Sequence, residues 1–177
     1  MSMRERLLVY ATAGWFAVMV AVHALVFEPM ADGQKAPDSR FGGYTYDAFA
    51  GWAGALDPSE RLSFLRWHSG FLDFVFPVLL MAALFTLMLA ALRQFERFRR
   101  QPSWIRTMVP LVLIAPYGLF DYLENGLVAE MLRGTTPINE VSVGLAATYT
   151  VLKFGAVAIA FSGTAVFWFV ARRQKPV

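Results

Sequence analysis

Residues 118–132 read GLFDYLENGLVAEML, a helical pattern inside a long apolar segment that nevertheless carries Asp121, Glu124 and Asn125. Spacings of three and four residues put those three side chains on one face of a helix. A carboxylate placed in hydrocarbon costs several kcal/mol or gives up its charge. The stretch therefore asks for surroundings that are apolar toward lipid and polar within.

Composition agrees with that demand. The chain has 177 residues, of which 57% are hydrophobic and only 16% charged, and its mean hydropathy is +0.48; soluble domains carry about a quarter charged residues. There is no cysteine, which removes disulfides, thiolate metal sites and thiol nucleophiles. A formal charge of +3 is too small to imply nucleic acid as a partner.

The expected fold class is all-α, a polytopic membrane protein. Four transmembrane helices form an antiparallel bundle with a short interfacial helix in the first outer loop, as one domain over residues 1–177. The first span, about 6–27, follows Arg4 and Arg6 and holds His23. Its apolar run exceeds the roughly 7–15 residues of a signal-peptide core, so it is read as a membrane span. A turn-rich connection follows, broken by Pro29, Gly33, Pro37, Gly42 and Gly43. Within TYDAFAGWAGAL, Tyr46, Phe49, Ala50 and Trp52 share a small apolar face. That face suits a helix on the membrane surface and equally an ordinary helix packed on the bundle.

Asp57-Pro58-Ser59-Glu60 is a helix start, with Asp as N-cap, Pro at the first position and Glu at the third. From there one helix runs through His68 and Asp73 to about Arg93, with the second span at 69–92. Pro77 frees the carbonyl of Asp73 and marks a kink beside it. The third span, about 108–131, contains the opening motif together with Pro110 and Pro116. Thr136 and Pro137 can start the fourth, at about 141–170, which carries Lys153.

Arginines set the orientation. Arg4 and Arg6, the Arg93–Arg106 connection and the tail with Arg172, Arg173 and Lys175 are basic, whereas the 28–67 connection is acidic on balance. The positive-inside rule then places both termini in the cytoplasm, which an even number of spans also requires. Counted from the span centres, Asp121 and Glu124 lie near and just outside the middle, and Lys153 slightly outside it. Asp73 and His23 lie roughly 10 Å outward by the helical rise. All five fall in the outer half of the bilayer, where an inward-facing polar cavity is the simplest arrangement.

Each residue also has a plainer role. Asp121, Glu124 and Asn125 could be glue between helices, bonded to backbone and to Thr148 or Thr150. Lys153 reads first as the counter-ion that lets carboxylates be buried, His23 as a hydrogen-bonded core histidine, and His68 as solvated at the interface. Trp52, Trp67, Trp104 and Trp168 read as interface anchors.

Asp73 followed closely by Phe76-Pro77, then D121-Y-L-E124-N125, then T150-V-L-K153, resembles a scattered group of uncharacterised bacterial four-helix integral membrane proteins, from about Phe41 onward. The resemblance implies that the polar set belongs together, in a bacterial cell (inner) membrane, and brings no activity. The Asp-x-x-Glu-Asn run is also similar to that of the membrane-associated glutathione and eicosanoid enzymes. Those have an arginine- and histidine-rich stretch before it, where this chain has VLIAPYGLF, so nothing is carried over.

Three functions compete. One is binding of a small molecule or lipid in the outer-half cavity, with Asp121 or Glu124 as candidate acid or base and Asp73, Asn125, Lys153 and His23 as binding residues. The second is a structural or accessory subunit of a larger membrane complex; the third is proton or cation conduction as an oligomer. Whether any reaction is catalysed stays open. No cofactor is expected. No metal site is expected either: the two histidines fall at different depths, and Lys153 competes for the oxygens of any site built from Asp73, Asp121, Glu124 and His23.

Overall fold

A computed structural model describes residues 2–173; Lys175, part of the basic tail, lies outside them. Among the described residues the structure is helical, without strands. Four helices are each long and apolar enough to cross a membrane. The first, α1, covers Met3–Met30. A capping box opens it: the Ser2 hydroxyl accepts from the Glu5 N–H and the Glu5 carboxylate accepts from the Ser2 N–H. At His23–Phe27 the helix widens into a π turn.

The connection after α1 holds a one-turn 3₁₀ helix, Pro37–Ser39, and reverses at Gly33 and Gly43, both with positive φ. The next helix, α2, is Tyr46–Ala55, capped by the Thr45 hydroxyl. Its aromatic face is packed inside the protein: Phe49, Trp52 and Ala53 are buried with Phe27, Phe64, Met131 and Val143. Trp52 is 0% exposed, which overturns its reading as an interface anchor; Trp67 and Trp104 are exposed.

The start at Asp57 is the one the sequence foretells. Asp57 accepts from the Ser59 and Glu60 N–H groups, and Glu60 returns a bond to the Asp57 N–H at 2.9 Å. From it α3 runs over Pro58–Leu92, with a second π segment at Leu65–Leu72. After the one-turn helix Glu96–Arg99, α4 covers Ser103–Arg133 and stops at Gly134 with φ 78°. The last helix, α5, spans Glu140–Arg173. It begins at Asn139, whose Oδ1 accepts from Val141 and Ser142 N–H, not at Thr136 and Pro137: an Asn side chain satisfies the free N–H groups that Pro137 would leave open.

Two apolar cores form. One gathers Phe27, Phe49, Trp52, Phe64, Leu72, Val128, Met131 and Val143; the other gathers Leu84, Met88, Leu92, Ile114 and Ala160. Along α3, α4 and α5 the charged residues fall between the members of the first core and those of the second. Asp73 comes between Leu72 and Leu84, Asp121 and Glu124 between Ile114 and Val128, and Lys153 between Val143 and Ala160. A polar layer thus lies between the two apolar cores.

Candidate functional site

The layer contains two linked clusters. In the first, Lys153 reaches from α5 to α4, with Nζ 2.7 Å from Glu124 Oε2 and 3.1 Å from Asp121 Oδ1. Thr150, one turn earlier on α5, donates its hydroxyl to Glu124, and Asn125 Nδ2 donates to Asp121 Oδ2 at 3.1 Å. Thr150 is therefore the partner on α5, while Thr148 is exposed and bonds its own helix. All three charged groups are buried, so each is held by a charge or a hydrogen bond rather than by water.

The second cluster joins α1, α3 and the loop between α1 and α2. His68 Nε2 lies 3.1 Å from His23 Nε2 and 3.0 Å from Asp38 Oδ2, and His23 Nε2 is 3.6 Å from the same carboxylate oxygen. On their far sides, His23 Nδ1 is 3.2 Å from Ser39 Oγ and His68 Nδ1 is 3.6 Å from Asp73 Oδ2. Aromatic rings fix the imidazoles: Phe64 stacks on His68 with centroids 4.3 Å apart, and Phe27 meets both rings edge-on. His68 is 2% exposed, not solvated. Nor do the histidines lie at different depths: their Nε2 atoms are 3.1 Å apart, each ring carried on a π segment that an even helical rise does not anticipate.

Asp38 is the member that sequence reasoning missed. It sits on a 3₁₀ turn after Pro37, with no periodicity to give it a depth. Burial alone would raise its pKa, but the imidazole of His68, through charge and a hydrogen bond, and that of His23 hold it well below the usual carboxylate range. Burial, with the charge of Glu124 adding to it, raises the pKa of the Tyr44 phenol above its ordinary value, so it stays neutral.

The clusters share a cavity of about 290 Å³. His23, Asp38 and Asp73 line one part of it and Asp121 and Lys153 another, with Glu28 and Lys35 also on the wall. Glu124 and Asn125 are not on its lining; Glu124 is 0% exposed, closed in behind Lys153 and Thr150. Beside this cavity lies an almost wholly apolar one of about 510 Å³, walled by Thr12, Leu80, Leu84, Val157 and Phe161. Five side chains, Phe16, Phe41, Phe76, Tyr117 and Phe154, border both.

Comparison of the chain with protein-family models, with curated proteins and with solved structures finds no match.

Proposed function

We propose that this chain is a multi-pass protein of the bacterial cell membrane that binds an amphipathic small molecule, a lipid or lipid-like compound. The polar head would occupy the cavity beside Asp121, Lys153 and His23, and the hydrocarbon would lie in the adjoining apolar groove. The observation that carries this reading is the junction of the two spaces, a 290 Å³ cavity that holds the charged side chains sharing five wall residues with a 510 Å³ apolar one. Ligand sites are mostly apolar concavities with a few placed polar groups, and here the charged groups are confined to the smaller of the two spaces.

In this reading the helices run antiparallel, both termini are cytoplasmic and the polar layer lies in the outer half of the bilayer. Support comes from Arg93, Arg97, Arg99, Arg100 and Arg106 in the connection between α3 and α4, opposite the loop that carries Asp38. Exposed Leu7, Phe16, Leu119, Ile159 and Phe169 on the long helices suit contact with lipid. Kinship with the uncharacterised bacterial four-helix group rests on Asp73 with Phe76-Pro77, on D121-Y-L-E124-N125 and on T150-V-L-K153.

Of the two candidate acid or base groups, Asp121 is the one placed to exchange a proton with a bound molecule, since it faces the cavity and Glu124 does not. A structural role suits Glu124 better, for a specific reason: it is closed off and holds α4 to α5 through Lys153 and Thr150.

Native mass spectrometry of protein released gently from its membrane tests the reading. The wild type should retain one amphiphile per chain. Ala13→Trp, which fills the groove from an exposed wall position, should lose it at unchanged thermal stability. A wild type that carries none, or an Ala13→Trp variant that carries as much, overturns the proposal.

A further inference from the structure

We propose that His23, Asp38 and His68 form a binding site for a divalent first-row transition-metal ion, with zinc the ion their donor set suits best.

The geometry is that of a coordination triangle. Each residue offers one donor atom to a common point, and the edges are 3.0, 3.1 and 3.6 Å. For a triangle with those edges the point equidistant from the corners lies about 1.9 Å from each. An ion bound at about 2.0–2.1 Å, the usual zinc–nitrogen and zinc–oxygen distance, would sit slightly above that plane, leaving one face open to a further ligand.

Hydrogen bonding alone accounts for the cluster poorly. A single N–H on His68 Nε2 would have to serve both His23 Nε2 and Asp38 Oδ2. The 3.6 Å edge between His23 and Asp38 would remain unbonded, and Asp38 Oδ1, buried, has no partner at all. A cation accepts lone pairs from all three residues at once. Two imidazoles and one carboxylate are borderline donors that suit zinc and its neighbours rather than calcium or magnesium.

The surroundings are those of a metal site. Imidazole ligands are commonly oriented through the opposite ring nitrogen by a carboxylate or another polar group; here Ser39 stands at hydrogen-bond distance behind His23, and Asp73 lies 3.6 Å behind His68, a charge contact without a hydrogen bond. Both histidines sit in π segments, His23–Phe27 and Leu65–Leu72, a distortion that concentrates at functional sites. Charge points the same way. Asp38, Asp73, Asp121 and Glu124 are gathered in the layer with Lys153 as their nearest ammonium, and Lys153 is already engaged by Asp121 and Glu124. Lys153 pairs with Asp121 and Glu124 and makes no ion pair with Asp38, so it does not occupy the oxygens that the histidine cluster offers an ion. His23 and Asp38 also line the 290 Å³ cavity, so an ion held there would be accessible to whatever enters it.

The test uses purified full-length protein in detergent, stripped with chelator and checked for an unchanged unfolding temperature, then titrated with Co²⁺ followed by Zn²⁺. One Co²⁺ per chain should bind with visible ligand-field bands, and one equivalent of Zn²⁺ should displace it. His23→Gln and His68→Gln should abolish the bands. Asp38→Asn, a loop substitution that leaves the helices alone, should do the same in a normally folded protein. Asp73→Asn should keep the stoichiometry and weaken affinity by less than about 10-fold, since Asp73 acts on His68 by charge and not through a hydrogen bond. The proposal is overturned if the folded, stripped wild type takes up neither ion, which would mean a proton-shared cluster only. Binding that persists in folded Asp38→Asn with the same spectrum overturns it equally.

Discussion

The imidazoles of His23 and His68, 45 residues apart in the chain, meet with their Nε2 atoms 3.1 Å apart and their ring planes at 80°. That meeting ties α1 to α3, and Asp38 ties the loop to both. Two widened turns bring it about, one at the end of α1 and one in the first half of α3. The polar layer is therefore a join of all four long helices: α1 and α3 through the histidines, α4 and α5 through Lys153.

Lys153→Met should destabilise the protein by about 3–5 kcal/mol, because it leaves two buried carboxylates without their cation. Adding Glu124→Gln should recover part of the loss, since it removes one stranded charge. Thermal unfolding of the two single variants and the double variant in one detergent measures the coupling. Simple additivity would mean that the residues are not energetic partners.

Trp52→Ala should cost about 3–5 kcal/mol, the range for removing a fully buried large aromatic side chain. An interface anchor would cost far less. The helix Tyr46–Ala55 should also become sensitive to protease from the outer side in the variant, because its aromatic face joins the core formed with Phe27 and Phe64. Protease resistance equal to wild type would show that α2 is held by something else.

A reporter active only in the cytoplasm, fused at the carboxyl terminus or inserted at Gly33, checks the orientation. Signal is expected from the first and none from the second. Equal signal at both sites would contradict the arginine-based topology.

Much of this architecture is legible in the sequence because its signals are local. Asp57-Pro58-Ser59-Glu60 carries its own capping chemistry, and the structure starts a helix there. The pairing of Lys153 with Asp121 and Glu124 follows from counting residues along regular helices, since α4 and α5 run without a π segment there. The same counting fails for His68. It places the membrane boundary at 69 and assumes an even rise, whereas the helix, which starts at Pro58 as expected, widens over Leu65–Leu72 and has His68 buried under Phe64 and Phe27. Asp38 was out of reach altogether, because a loop residue has no periodicity and Pro37 says only that the chain turns. The single available hint is that His23 falls late in α1 and His68 early in α3, which puts both at one end of the bundle.

The proposed binding function requires the cavity beside Asp121 and Lys153 to open toward the outer side and to run into the apolar groove. Phe76 borders both spaces, while Met88, at 0% exposure, is buried in the second core and lines neither of them. In this cysteine-free chain, Phe76→Cys and Met88→Cys can each be treated in intact cells with a membrane-impermeant thiol reagent. Modification is expected at position 76 and protection at position 88. Protection at both would mean that the polar layer is a dry, packed joint between helices, and the binding function proposed for it would fall.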